Sequence, residues 1–229
     1  MERAHPLDRP IWSSLTTRQA HVAIGDARAL RFAPEYGVFA AAADDSSESL
    51  AALAALIPAQ GAIALNETRP DWPLPPGAKM VNRAVIDQMT AEALTPAPDP
   101  AFAITPLTDA DGPEMLALAT LTRPGPFAAR THQLGDFVGV KFDGRLVAMA
   151  GERMKLEGLT EVSGVCTHPD HRGHGYAGAL MRVIAARILA RGERPFLHVF
   201  ATNTGAIALY ETLGFTRRQA MTLTVLERG

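Results

Sequence analysis

The sequence predicts an α/β protein in two parts: a smaller α/β N-terminal lobe over 1–95 and a larger domain over 101–229. Three observations carry this. Strand-like runs and apolar runs at helical spacing alternate through the second half. The stretch 161–177, EVSGVCTHPDHRGHGYA, reads as a strand, a basic glycine-rich turn and a helix start. Between the two parts lies LTPAPDP (94–100), whose alternating prolines remove backbone donors and bias their neighbours to extended forms, as linkers do.

In the N-terminal lobe, short strand-like runs fall at His21–Ile24, Ala29–Phe32 and Gly37–Ala41. A helix over Ser47–Leu56 follows a Ser/Asp-rich cap, and Ile63–Leu65 is a further strand before the turn-rich Asp71–Gly77. After the prolines, Ile104–Leu107 reads as a strand and Asp109–Leu121 as a helix with an acidic start. Phe137–Phe142 and Leu146–Met154 flank Asp143-Gly144, a hairpin signal, and Thr160–Thr167 is the next strand. Ala177–Leu189 has helical spacing and stops at Arg191-Gly192, a base followed by a C-cap glycine. Phe196–Phe200, a helix over Thr204–Leu213 ended by Gly214, and Met221–Leu226 complete the chain.

Composition narrows the function. With 229 residues, 47% of them hydrophobic and 20% charged, the chain has ample material for a globular core. A formal net charge of -2, with lysine only at 79, 141 and 155 and dispersed arginines, argues against nucleic acid, which demands clustered excess base. The N-terminal MERAHPLDRP has no apolar core and does not read as a signal peptide, and the apolar 50–65 is broken by Pro58 and Gly61. No membrane partner is expected. Cys166 is the only cysteine, so no intrachain disulfide can form and a cytoplasmic location is the default expectation.

The turn at 172–177 carries the chemistry. A strand that runs through a glycine turn into a helix N-terminus presents free backbone N–H groups at the positive end of the helix dipole, a site suited to a diphosphate. Gly173, Gly175 and Gly178 spell the dinucleotide pattern G-x-G-x-x-G, with Glu193 at about the spacing of a ribose acid. That reading fails on three counts. Too little chain follows for a doubly wound sheet, Glu193 precedes the next strand rather than ending it, and the turn holds His168, His171, Arg172 and His174.

Arg172, Gly175 and Ala177 instead fill R-x-x-G-x-A. This resembles the coenzyme A loop of the GCN5-related N-acetyltransferase (GNAT) superfamily, Q/R-x-x-G-x-G/A. Glu161-Val162-Ser163 resembles the family's acidic strand and Thr167-His168-Pro169 its strand-end proline. Asn203, Ala206 and Tyr210-Glu211-Thr212-Leu213-Gly214-Phe215 resemble N-x-x-A-x-x-L-Y-x-x-x-G-F. The resemblance spans roughly Phe102 to Arg228 and is nearest the FR47-like, glycine N-acyltransferase-like branch. The N-terminal lobe looks like a degenerate half of the same fold, as in two-lobed acyltransferases.

The resemblance implies a mixed, splayed central sheet flanked by helices. It also implies an N-acetyltransferase that moves an acyl group, expected to be acetyl, directly from acetyl-CoA to the primary amine of a small molecule or peptide. Coenzyme A would lie between the strands Thr160–Thr167 and Phe196–Phe200. Its implied contacts are Val165, Cys166, Thr167, Arg172, Gly173, His174, Gly175, Tyr176, Ala177, Asn203 and Ala206. A binding module without a working acceptor site is the alternative.

Two catalytic residues are implied. Glu161 stands where relatives place a general base, and for that its pKa must be raised by partial burial; otherwise it is a strand-end acid. Tyr210 stands near the expected thioester sulfur, where a phenol can protonate a departing thiolate; it also shares a helix face with Ile207 and Leu213 and could simply pack. Asn203 is placed to cap its helix. Cys166 has no base assigned beside it and is expected to be a small buried apolar residue rather than a nucleophile. His168, His171 and His174 sit on a loop broken by Pro169 and Gly173 and are not expected to bind metal. The run Leu121 to His132 falls where relatives line the acceptor pocket, so the resemblance makes Arg123, Arg130 and His132 candidates there; a solvated loop is the alternative reading.

Overall fold

The computed structural model describes residues 5–229. Its N-terminal part runs α1 (Pro10–Thr16), β1 (Ala23–Gly25), β2 (Ala29–Phe32), β3 (Ala40–Ala42), α2 (Ser47–Ala55), β4 (Ile63–Glu67) and β5 (Ala78–Thr90). The second part runs β6 (Thr105–Leu107), α3 (Gly112–Thr122), β7 (Phe137–Phe142), β8 (Arg145–Leu156), β9 (Leu159–Thr167), α4 (Tyr176–Ala190), β10 (Arg194–Phe200), α5 (Thr204–Leu213) and β11 (Thr216–Arg228). The large sheet is ordered β4-β11-β5-β10-β9-β8-β7-β6, and β1 to β3 form a small separate sheet. This is the mixed sheet with flanking helices that the sequence predicts.

Local signals explain most elements. Ser46 accepts a hydrogen bond from the Ser49 N–H and caps α2. Asp143 and Gly144 both take positive φ, which lets two residues close the β7–β8 hairpin with the strands' own twist. Asn203 Oδ1 accepts from the Ala206 N–H at the start of α5, the expected cap. α4 buries Leu180, Met181, Ile184, Ala185 and Ile188 against β8, β9 and β7, on one helical stripe.

Two elements lack a sequence expectation. One is α1, although Pro10 at its first position and the Ile11/Leu15 spacing are helix signals. The other is β5, which has no clean alternation: most of its first eight residues are exposed, whereas Ile86 to Gln88 and Met89 are buried. β5 lies between β11 and β10 and is antiparallel to both. The proline segment 94–100 contains no helix or strand, as expected of a linker. The boundary drawn there nevertheless does not separate two sheets. β4 and β5, from before it, pair with β11 and β10, from after it.

One face of the sheet carries α4 and α5 over the core of Val138, Ala148, Val162, Leu197 and Val199. The other face is covered by the N-terminal part, with Leu7, Ile11, Leu15, Phe32 and Phe39 packed on Met154, Leu156 and Phe196. α3 lies on that second face over Met149 and Cys166. Both faces are therefore roofed.

Candidate active site

β9 and β10 are parallel neighbours for only three pairs, Arg194–Leu159, Pro195–Thr160 and Phe196–Glu161. Beyond them the strands diverge, because β9 carries a bulge. Met149 pairs with Cys166 and Gly151 with Ser163, so Gly164 and Val165 together face Ala150. Gly164 has φ +63, and a Cβ there would stand 3.0 Å from the Phe137 ring. Only glycine meets both demands at low cost. The outcome is a wedge-shaped gap in the middle of the sheet, where main-chain groups of β9 lack a β10 partner.

At the open end of that gap, Pro169–His171 forms one 3-10 turn, and Gly173 (φ +82) and Gly175 (φ +76) lead into α4. Gly175 is the N-cap and brings no side-chain acceptor, so the first-turn N–H groups of α4 face outward uncapped, with the dipole behind them. Every cofactor contact expected from the sequence lies along one cleft of about 560 Å³: Val165 to Thr167, Arg172 to Ala177, Asn203 and Ala206. A Cβ at Gly175 would meet no atom within 4 Å, so the demand there is on backbone conformation. Gly175→Val forces a β-branched residue to positive φ. It is expected to weaken coenzyme A binding by roughly 5- to 150-fold with the fold retained, measured by calorimetry and circular dichroism.

A second cavity, of about 390 Å³, opens on the N-terminal side of the gap. It meets the first cleft at Pro124, Val165, Asn203 and Tyr210, which line both. Its remaining wall comes from both parts of the chain, with Phe39, Ala64 and Asn66 on one side and Arg153, Ser163 and His198 on the other. Tyr210 thus stands at the junction. Its hydroxyl makes no hydrogen bond among the described residues, and burial pushes its pKa above the usual phenol value.

Glu161 borders neither space. It is fully buried, and Arg153 grips it with two hydrogen bonds of 2.8 Å, from Nε to Oε2 and from Nη2 to Oε1. His198 Nδ1 approaches Oε1 at 2.8 Å. Gln88 assigns the His198 tautomer. Its Oε1 accepts from Arg218 and its Nε2 donates to the Leu7 carbonyl, so Nε2 also donates to His198 Nε2 and leaves Nδ1–H to Glu161. Burial alone would push the Glu161 carboxyl up, but the Arg153 charge and the His198 and Arg153 hydrogen bonds outweigh it and hold the pKa at about 2. The expectation of a raised pKa, and with it a titrating base near neutrality, is corrected: Glu161 is ionised at neutral pH and anchors Arg153 and His198.

Arg123, Arg130 and His132 do not line the second cavity. Pro124, Gly125 and Pro126 line the second cavity, whereas Arg123 is the left-handed C-cap of α3. Arg130 stacks on Tyr36 and hydrogen-bonds Gln133, and His132 pairs with Asp109 at 3.2 Å. Both border a different cavity. Cys166 is buried among Met115, Leu118 and Met149, and burial raises its thiol pKa to about 11, so it is a poor nucleophile at neutral pH. His171 packs on Phe142 and His174 stacks on Tyr176. Glu193 hydrogen-bonds Thr160 and pairs with Arg18 at the start of β10, away from the glycine turn.

Arg153, His198 and Asn66 have no sequence expectation. A lone Arg in AMAGERMKL and a lone His in FLHVF are signals, since charged or polar groups in buried strands require partners. Asn66 has no comparable mark.

A family model for FR47-like proteins matches residues 138–224. Over the whole length, a GNAT-family structure from Novosphingobium aromaticivorans is 46% identical, with 98% of this chain and 99% of that one covered and a TM-score of 0.88. A GCN5-related N-acetyltransferase from Kribbella flavida shares the fold at 18% identity, covering 99% of this chain and 97% of that one, with a TM-score of 0.69. A GCN5-related N-acetyltransferase-like protein from Streptococcus suis does so at 16% identity, 99% and 94% coverage and a TM-score of 0.61. No curated protein sequence matches the chain.

Proposed function

The chain belongs to the GNAT family, and from that premise we propose that it moves an acetyl group from acetyl-CoA directly to a primary amine. The observation that supports this most is the meeting of the two spaces at Val165, Asn203 and Tyr210. One space ends at an uncapped helix N-terminus suited to a diphosphate, and the other is closed by apolar walls with a few polar groups. A thioester lying along the first presents its carbonyl to an amine held in the second.

Each residue then has a task. Arg172 and the α4 N–H groups hold the diphosphate, with Gly173 and Gly175 giving the backbone its close approach. The unpaired edge of β9 at Val165 to Thr167 offers main-chain partners to the pantetheine amides. Tyr210 gives its proton to the departing sulfur as the new amide bond forms, and the amine's own proton passes to solvent. Direct attack leaves no part for the Cys166 thiol. Cys166→Ala is expected to retain most of the activity, and an acyl adduct trapped on Cys166 and seen by mass spectrometry would overturn direct transfer. The test of the function as a whole is release of free thiol from acetyl-CoA across a panel of amines. Coenzyme A binding without thiol release on any amine would sink it.

No helix among the described residues is long and apolar enough to cross a membrane.

A further inference from the structure

The wall of the second cavity has no group to pair with an ammonium ion or to take its proton. Among the described residues that line it, none is Asp, Glu, Lys or Cys. The titratable ones are Arg153 on β8, His198 on β10 and Tyr210 on α5. β4, β5, β9, β11, α4 and the loop after α3 contribute uncharged residues alone, Ala64, Ile86, Met181 and Val225 among them.

None of the three titratable groups serves as a base. His198 donates Nδ1–H to Glu161 and its Nε2 accepts from Gln88, so neither ring nitrogen has a lone pair open to the cavity. Burial raises the Tyr210 pKa, and the phenol keeps its proton through neutral pH. Arg153 stays a cation. Its Nε and Nη2 are bound to Glu161, whereas Nη1 has no hydrogen bond among the described residues. The guanidinium is held over the Phe39 ring at 4.6 Å, which covers that aromatic face as well. Glu161, the acid of this cluster, lines neither space and is enclosed by Arg153 and His198.

An ammonium that leaves water for such a wall loses its hydration, meets no carboxylate and shares the space with a positive charge. Each effect favours the uncharged amine. At about pH 7.4 an amine of lysine-like basicity is roughly 0.1% uncharged, and one of α-amino basicity roughly a quarter.

Resting on the acetyl-transfer reading above, we propose that the acceptor enters as the free base and is a weakly basic primary amine on an apolar frame. An electron-withdrawing neighbour or an aromatic ring on the nitrogen gives an amine that character. Its lone pair forms the new C–N bond as the C–S bond breaks. The sulfur takes the Tyr210 proton, and the one proton that the nitrogen sheds passes to solvent, so the step needs no base from the protein. Strongly basic alkylamines and polyamines are poor acceptors.

The test has a binding arm and a rate arm. Calorimetry at pH 6 with coenzyme A present compares 2-phenylethylamine, which is charged there, with 2-phenylethanol, its uncharged counterpart of the same size. The alcohol is expected to bind about 10- to 100-fold tighter, the equivalent of one to two pKa units of preference for the uncharged form. An ammonium that binds as tightly as the alcohol overturns the proposal, and binding of neither removes this cavity as the acceptor site. The rate arm follows thiol release from acetyl-CoA against pH for 2-phenylethylamine and its 2,2-difluoro derivative, whose fluorines lower the basicity at nearly the same shape. The acidic limb of kcat/KM is expected to move down by the full difference between the two amines' own pKa values. A limb at one pH for both amines reports a base on the protein and overturns the proposal while acetyl transfer stands. Thiol release with neither amine, in protein that binds coenzyme A and the alcohol, removes the acetyl-transfer reading and the acceptor class with it.

Discussion

Tyr210→Phe is expected to lower kcat for thiol release by about 10- to 1000-fold and to leave the melting temperature and the affinity for coenzyme A near those of the parent. The ring is packed against the α4–sheet core, and phenylalanine keeps that packing. The hydroxyl makes no hydrogen bond among the described residues, so its deletion costs the fold little. Its value lies in position, at the junction of the two spaces, and in its proton. Because burial raises the phenol pKa, the proton stays on the oxygen through neutral pH and is lost only above the usual tyrosine range. The alkaline limb that Tyr210 sets should therefore lie above the usual tyrosine range and vanish in the variant. A kcat equal to the parent's would return Tyr210 to a packing role and leave the departing sulfur without a protein acid.

The parts of this site that were legible in the sequence are those encoded by neighbours in the chain. Gly173 and Gly175 announce a turn, Asn203 a cap, and Asp143-Gly144 a hairpin, and each acts on the backbone within a few residues of itself. What was not legible depends on pairing across long separations. The prolines of 94–100 bias their own backbone correctly, but nothing local says that β5 crosses over to lie between β10 and β11. Nor does it say that Phe39 and Asn66 will wall a space opened by the bulge at Gly164. Glu161 shows the same limit in electrostatics. A carboxylate on an apolar strand reads as an acid raised by burial, yet Arg153, from the preceding strand, and His198, from the following one, converge on it only once β8, β9 and β10 align. The sign of its shift is a property of the fold.

That reversal gives the second large expected effect. Glu161→Ala should destabilise the protein by about 3–5 kcal/mol, since it leaves the buried Arg153 guanidinium and the His198 N–H without an acceptor. Glu161→Gln keeps the volume and one acceptor oxygen and should cost less. The pH dependence follows from the same pair. The folded carboxyl has a pKa of about 2, below its ordinary value of 4.5, so its contribution is complete above about pH 4.5 and is lost as the pH falls towards 2. Its size is roughly 3 kcal/mol at neutral pH. Urea unfolding at pH 7 and pH 3 should show the parent losing more stability than Glu161→Gln over that interval. Over pH 5 to 9 the same carboxylate stays ionised, so any acidic limb in the rate profile should survive in Glu161→Gln. If the variant matches the parent in stability and the acidic limb disappears, Glu161 is the base after all, and the Arg153–Glu161–His198 cluster is catalytic machinery rather than the anchor that holds the acceptor wall in place.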